Sequence, residues 1–454
     1  MLREIVGPEN VMDSKLDLFT YSYDGSTAPL LPAQLPDVAV RVKTVEQVSK
    51  VLALANARSI PVVPRGAASN RTGGTVPVAG GIVLCLDGMD QILELDESNL
   101  MITVEPGVRT IDIYNYCAER GLFFPPDPAS WKFSTIGGNI AENAGGARAV
   151  KYGVTRDYVM GLEVVLADGS IINTGGKAIK NVTGYDLTRL MVGSEGTLGV
   201  ITKAILKLIP MPKHRETVQL MFGSMDEACE TVRDLIRGGT TPAAAEIMDK
   251  ISIQAVAKFQ RMDIDENVEA CIIIELDGEN KAALQEQINA MKGIAEKHKA
   301  LSFRVAENPE EAEKLWSIRR GMGPAVATVA PNKIGEDISV PRSEFPEIVR
   351  RVRAIAEKYD LVIAVFGHAG DGNVHPSILT DLSLPGQVEK VDAAVSEIFA
   401  AALELGGTLS GEHGIGTSKM AYMRAAIGES GIEAHHRIKQ ALDPKSILNP
   451  GKIF

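Results

Sequence analysis

Gly367-His368-Ala369-Gly370-Asp371-Gly372-Asn373-Val374-His375 and Gly411-Glu412-His413-Gly414 hold three of the chain's seven histidines, each within a Gly-rich segment and with acidic residues among them. Imidazole and carboxylate together are the usual donors for a borderline divalent metal. The adjacent pair Glu412-His413 offers one group to bind a metal and one to move a proton. Imidazole suits that second task because it titrates near neutrality. These residues point to a site that does chemistry.

Such residues need rigid elements around them. The first 36 residues read as irregular, ending in the Pro-punctuated Ala28-Pro29 to Pro36, and residues 38–42 then read as a strand. Thr44 with Gln47 three residues later is a capping-box signature. Val45, Val48, Val51, Leu52 and Ala55 then recur at helical spacing, and residues 60–64 read as the next buried strand. Short strands follow at 82–86, 100–104 and 162–166, the last ending in the turn Ala167-Asp168-Gly169-Ser170, which predicts a hairpin. Beyond Pro210-Met211-Pro212, apolar strands such as 271–276 alternate with charged amphipathic helices. One helix, residues 281–299, has Leu284, Ile288, Met291 and Ile294 on one stripe. The tail 443–452 is bounded by prolines and is either loose or docked. The expected fold class is α+β. The division drawn from these shifts is an N-terminal segment 1–36, a first domain 37–212, a second domain 213–420, and a C-terminal segment 421–454.

Composition narrows the function. With 45% apolar and 23% charged residues the chain is an ordinary globular one. A net charge of -11 argues against a general nucleic-acid binder, though a local Arg or His pocket still admits small anions. The four cysteines, Cys85, Cys117, Cys229 and Cys271, form no C-x-x-C pair, which disfavours an iron–sulfur cluster and fits reduced, buried thiols in a cytoplasm. No apolar run approaches the roughly 20 residues of a spanning helix, so membrane association is expected only through a partner.

Three small-residue segments precede the histidines. Pro64-Arg65-Gly66-Ala67-Ala68-Ser69-Asn70-Arg71-Thr72-Gly73-Gly74 follows a strand and suits an anion nest of backbone N–H groups, with a pyrophosphate as the natural guest. It is neither a P-loop nor a G-x-G-x-x-G fingerprint. Residues 125–146, around Thr135-Ile136-Gly137-Gly138-Asn139, and residues 193–202 alternate Gly and Ala with Asn and Thr. That composition suits backbone passing close along a long polar cofactor.

Thr135-Ile136-Gly137-Gly138-Asn139, the His368-x-Gly-Asp-Gly-Asn-x-His375 run, Glu412-His413-Gly-Ile-Gly and the ending Ile447-Leu448-Asn449-Pro450-Gly451-Lys452 carry a resemblance over residues 37–454. The chain resembles the FAD-binding D-lactate dehydrogenase and glycolate oxidase FAD-subunit branch of the vanillyl-alcohol oxidase/p-cresol methylhydroxylase flavoproteins. The resemblance implies a two-lobed FAD-binding domain of the p-cresol methylhydroxylase type, an α+β cap with an antiparallel sheet, and a C-terminal tail returning to the flavin. It implies that Arg65, Gly66, Ala67, Ala68, Ser69 and Asn70 hold the FAD pyrophosphate through backbone amides. Asp127, Thr135, Gly137, Gly138, Asn143, Gly145, Glu195 and Ile201 would line the FAD, with Asn449 reaching it from the tail. His368, His375 and Glu412 would bind one divalent metal (zinc, iron(II) or manganese), and His413 would be the active-site base. A substrate-carboxylate arginine maps onto Arg319 in Trp316-Ser317-Ile318-Arg319, with Arg320 as its rival. Ala68 and Asn70 stand where many relatives have Gly, and no His or Cys stands where relatives attach flavin, so non-covalent FAD is expected.

The expected reaction is oxidation of a D-2-hydroxy acid, D-lactate first, then glycolate or D-2-hydroxyglutarate. Electrons would pass to a partner, an electron-transferring flavoprotein or an iron–sulfur subunit; a homo-oligomer is compatible. A His/His/Glu metallohydrolase without flavin and a non-catalytic flavin electron carrier are the alternatives. Asp371 and Asn373 read as turn formers, Lys333 and Glu336 as a charged loop, and His435-His436 as solvated helix surface.

Overall fold

A computed structural model describes residues 1–26 and 34–454; most of the Pro-punctuated stretch, residues 28–33, lies outside the described residues. The chain forms two compact units. The first comprises Met1–Gly145, Val154–Met211 and Glu412–Phe454; the second comprises Gly146–Gly153 and Pro212–Gly411.

Among the described residues the first unit holds two larger sheets and the two-stranded pair Leu122–Phe123 with Ile209–Pro210. In one, Val11–Met12, Val38–Arg41, Ile82–Cys85 and Val62–Arg65 lie side by side, the last three in parallel. The helix Val45–Arg58 links the parallel strands. Its Thr44 side chain accepts from Gln47 N, while Gln47 Oε1 accepts from Lys43 N, one residue short of an ideal box. Val48, Val51, Leu52 and Ala55 are buried against Val40, Val62, Ile82 and Leu84, as the helical spacing predicts. The first residues are less irregular than expected: Val11–Met12 pairs with the strand Val38–Arg41, and the flanking helices Leu2–Val6 and Lys15–Phe19 are five residues long, too short to show a period.

The second sheet of this unit is antiparallel, in the order Ile92–Asp96, Met101–Val104, Val200–Lys207, Val159–Val165 and Ile171–Gly175. The hairpin at Gly169 (φ 89°) is present, with Asp168 Oδ1 accepting from Ser170 N at 2.8 Å.

The C-terminal tail docks on the first unit. Val62 N–H donates to Ile447 O at 2.7 Å and Asn449 N–H to Val62 O at 2.8 Å, so the tail extends the parallel sheet. Ile447 and Leu448 enter the core. Asp443, fully buried, accepts from Ile447 N, Leu448 N and Lys439 Nζ, and Lys439 also donates to Thr197 O and Leu448 O. Removing one partner of such a buried pair leaves an uncompensated charge. Lys439→Ala is therefore expected to lower stability by about 3–5 kcal/mol in urea denaturation. A loss well below about 1 kcal/mol would remove this pair as the tail's anchor.

The second unit is built on one antiparallel sheet: Ser302–Val305, His214–Phe222, Ala270–Gly278, Ala244–Asp249, Val362–His368, Asn373–Thr380 and Asn332–Gly335. Lys333 lies on that last edge strand rather than in a loop. The helix Lys281–Lys297 buries Leu284, Ile288, Met291 and Ala295; Ile294 is half-buried because the 3.6-residue turn brings Ala295 to the core line. Gly146–Gly153 joins this unit through Lys151 Nζ, which donates to Asp277 O at 2.8 Å and to its carboxylate. All four cysteines are free and buried, and burial pushes the Cys85, Cys117 and Cys271 thiols up to about 12. Among the described residues no helix is long and apolar enough to cross a membrane.

Candidate functional site

Within the first unit a cleft of about 210 Å³ opens between the segment after the strand Val62–Arg65 and the helix Ile136–Glu142. Of the residues expected at a cofactor, Arg65, Gly66, Ala67, Ala68, Ser69, Asn70, Thr135, Gly137, Gly138, Gly145, Glu195 and Ile201 line it. Asp127, Asn143 and Asn449 do not. Asn143 is the left-handed C-cap of the helix Ile136–Glu142, with its Oδ1 accepting from Arg156 N. Asp127 is half-buried. Asn449 stands behind the cleft wall, donating to Gly74 O at 2.9 Å and Glu195 O at 2.7 Å. Arg65 turns its guanidinium to Tyr23 O and Thr20 O, so its part in the cleft is backbone. Ala68 takes a left-handed conformation (φ 53°) where a glycine would be unstrained.

The cleft also receives Glu412 and His413. Their segment is pinned twice: Thr72 Oγ1 donates to His413 O at 3.1 Å, and the buried Glu195 carboxylate accepts from Ile415 N at 2.7 Å and Gly416 N at 2.8 Å. Asn449 in turn holds Glu195 through its backbone carbonyl. A cofactor-sized guest fits the cleft's polar inventory. Thr135 Oγ1 and Glu142 Oε2 are buried with no hydrogen-bond partner among the described residues. The Glu142 carboxyl is raised well above its usual range, first by burial and then by Glu195 and Asp24, which favours the neutral acid, a donor. Sequence reasoning quoted Glu142 within the Gly-rich run but gave it no role.

Close backbone approach is enforced at Gly66. A Cβ there would lie 2.2 Å from Thr135 Oγ1. Gly66→Ala must displace the threonine or the loop, and the purified variant is expected to retain several-fold less flavin per chain by absorbance. Undiminished flavin would mean that Thr135 simply rotates away.

In the second unit, His368 closes the strand Val362–His368 and His375 sits on the next strand, Asn373–Thr380. The register pairs Phe366 with His375 and His368 with Asn373, which puts both imidazoles and Phe366 on one face. The rings meet edge-on with centroids 5.2 Å apart and ring nitrogens within 4.8 Å. Gly372 makes the turn possible: its φ is 89°, and a Cβ would lie 2.1 Å from Val340 O. Asp371 accepts from Asn373 N in that turn, as expected of a turn former. Asn373 does more: its amide donates to Asp337 Oδ1 at 2.6 Å and Ile338 O at 2.9 Å.

Each imidazole has a buried carboxylate on its Nδ1 side. Glu246 Oε1 bonds His368 Nδ1, and Asp337 Oδ1 lies 3.7 Å from His375 Nδ1. For His368 the hydrogen bond at Nδ1 leaves Nε2 as the free ring nitrogen, the usual carboxylate–histidine arrangement of a metal ligand; at His375 the 3.7 Å separation is too long for a hydrogen bond. Burial opposes the charge on Glu246, yet Arg319 and His368 hold its carboxyl below the usual carboxylate range. Arg319 comes from the last turn of the helix Pro309–Arg320, which is capped by Asn308 and anchored by buried Leu315 and Ile318. Its Nε donates to Glu246 Oε2, and its guanidinium lies 5.2 Å over the Phe366 ring. Arg320 instead points outward to Glu313. Thus Arg319 stands with the histidines and Arg320 does not.

Glu246 and Asp337 escaped the sequence reading. A signal for Glu246 existed: a carboxylate in the middle of the buried strand Ala244–Asp249. His435 and His436 lie on the exposed face of the helix Met423–Leu442, beside Phe454.

A family model described as "FAD linked oxidases, C-terminal domain" matches residues 211–453, and one described as "FAD binding domain" matches residues 36–175. The chain belongs to the FAD-linked oxidase family. Among relatives of this FAD-linked oxidase, the glycolate oxidase subunit GlcD of Bacillus subtilis is 45% identical over 100% of this chain and 96% of the relative. The D-lactate dehydrogenase of Anaerostipes hadrus is 35% identical over 92% of this chain and 89% of its own length. The solved structure of p-cresol methylhydroxylase with substrate bound superposes with a TM-score of 0.80 at 20% identity, covering 100% of this chain and 95% of that one. At that identity the likeness shows the fold, which is the α+β, p-cresol methylhydroxylase type. The FAD-linked oxidase is accordingly an oxidoreductase that uses FAD.

Proposed function

We propose that this chain oxidises a D-2-hydroxy acid to the 2-oxo acid, with D-lactate the leading substrate and glycolate or D-2-hydroxyglutarate the others in range. The observation that carries the reading is the shared Glu246 carboxylate, which ties a buried arginine to one of the paired histidines. A carboxylate-binding guanidinium beside a metal-type imidazole pair suits a substrate carrying a carboxylate and a neighbouring hydroxyl. The names of the relatives, glycolate oxidase subunit and D-lactate dehydrogenase, support the same class.

The first unit is proposed to hold FAD non-covalently, through the loop Arg65 to Asn70, Thr135, Gly137, Gly138, Gly145, Glu195 and Ile201. The second unit is proposed to hold the substrate, and His368, His375 and Glu412 to share one zinc, iron(II) or manganese. Gly411 N donates to Asp337 Oδ2 at 3.0 Å, the other Asp337 oxygen lies 3.7 Å from His375 Nδ1, and Glu412 is the next residue along the chain. Bound FAD supplies a hydride acceptor and the metal a Lewis acid for the hydroxyl oxygen. The protein's residues do the rest. Arg319 grips the substrate carboxylate with its guanidinium nitrogens, and Phe366 and Glu246 fix its orientation. His413 takes the hydroxyl proton on its imidazole. Thr72 and Glu195 hold the His413 segment in place. Asn449 acts behind the cleft as a support.

The electrons are proposed to leave through a partner protein, an electron-transferring flavoprotein or an iron–sulfur subunit; one relative is itself named a subunit. Metal analysis of the purified protein and of His368→Ala with His375→Ala tests the ligand set. One equivalent of metal in the parent and none in the double variant is expected. Equal metal in both would assign the metal elsewhere.

A further inference from the structure

We infer that the second unit carries a binding pocket for a small phosphomonoester with an apolar substituent, distinct from the histidine face. The pocket, of about 500 Å³, lies between the last turns of the helix Met225–Arg237 and the short turn Arg342–Glu344. That is the size of an ordinary small-ligand site.

Its charge is what points to an anion. The chain as a whole has 58 acidic against 47 basic side chains, yet this pocket is lined by Arg233, Arg237 and Arg342 and by no carboxylate. Arg233 is engaged on its own helix by Glu230 and Asp234. Arg237 and Arg342 make no hydrogen bond or ion pair among the described residues. Two unused guanidinium forks from different elements facing one concavity match a dianion whose several oxygens can meet both. The helix end contributed here is the C-terminal one, which repels anions, so the arginines alone supply the attraction. Ser343 stands at the same rim, its hydroxyl donating to Glu344 Oε1 at 3.1 Å, so it adds nothing to the attraction.

The rest of the lining is apolar. Ile236, Phe345, Ala369 and Cys229 form it. Phe345, Ala369 and Cys229 are buried, and burial pushes the Cys229 thiol up, so it adds no charge. Ile236, half-buried, is the apolar side chain whose remaining surface an organic substituent would cover and an inorganic ion would leave in water. Ala369 directly follows His368, and Val340 N donates to Gly372 O at 3.0 Å two residues before Arg342. The pocket therefore abuts the turn joining the two histidine strands from behind.

The test is calorimetric titration of the FAD-loaded protein with inorganic phosphate and with phenyl phosphate. Phenyl phosphate is expected to bind one site per chain, more tightly than phosphate, and more weakly as salt rises because the arginines are exposed. The double variant Arg237→Ala, Arg342→Ala is expected to weaken it roughly 10- to 100-fold. Both residues are exposed and unbonded, so the variant should fold normally, which its unchanged melting temperature would verify. Absence of saturable binding, equal affinity for the two phosphates, or undiminished binding by the double variant would each overturn the assignment.

Discussion

His413→Asn is expected to retain FAD while slowing flavin reduction by the hydroxy acid by about 10²–10⁴-fold, the range for loss of a positioned general base. Retention follows from how the segment is held. Thr72 and Glu195 bind the backbone at 413, 415 and 416, which the substitution leaves intact. The imidazole itself lines the cleft. Asparagine keeps comparable polarity but cannot take a proton near neutral pH. Stopped-flow reduction under anaerobic conditions separates the two properties. Unchanged reduction would remove His413 from its role, and loss of flavin would make it a structural residue instead.

Glu246→Ala is expected to cost stability and activity together. Glu246 is fully buried, and its carboxylate serves Arg319 and His368 at once. Its removal leaves the mostly buried Arg319 guanidinium without its counter-charge, a change that costs about 3–5 kcal/mol in comparable buried pairs. The same change frees Arg319 and the His368 ring to reorient, so flavin reduction should fall by well over tenfold. Glu246→Gln tests the charge without the cavity: it keeps the side-chain volume and should show most of the rate loss with less unfolding. Urea denaturation and stopped-flow reduction of both variants check this. If Glu246→Gln is as fast as the parent, Glu246 is not the support proposed for the substrate clamp.

The difference between these two residues shows what the sequence carries. His413 is legible because its chemistry is local: an imidazole next to a carboxylate in a Gly-rich run. The same holds for the fold's local devices. Thr44 and Gln47 announce a helix start, Asp168-Gly169 a hairpin, and a 3.6-residue apolar stripe the helix at 281. Glu246 is not legible in that way, because its partners are 73 and 122 residues away and nothing local requires them to meet. The membership of Gly146–Gly153 in the second unit rests likewise on Lys151 meeting Asp277 across 126 residues. The compact units also part at Gly411–Glu412, where the chain shows only one more glycine; the sequence division was drawn at 420. For the residues expected at a cofactor, small side chains marked segments that line the cleft. They did not separate residues that line it, such as Thr135, from those that brace it from behind, such as Asn449.

The central claim is hydride removal from a D-2-hydroxy acid onto bound flavin with a metal required. Anaerobic titration of the purified protein with D-lactate, glycolate and D-2-hydroxyglutarate, and with L-lactate as control, tests it most directly when repeated after chelation and metal return. A yellow protein is expected, bleached by one equivalent of a D-2-hydroxy acid or glycolate, inert to L-lactate, silenced by chelation and restored by metal. A colourless protein, a flavin that none of these acids bleaches, or full bleaching after the metal is stripped would contradict it.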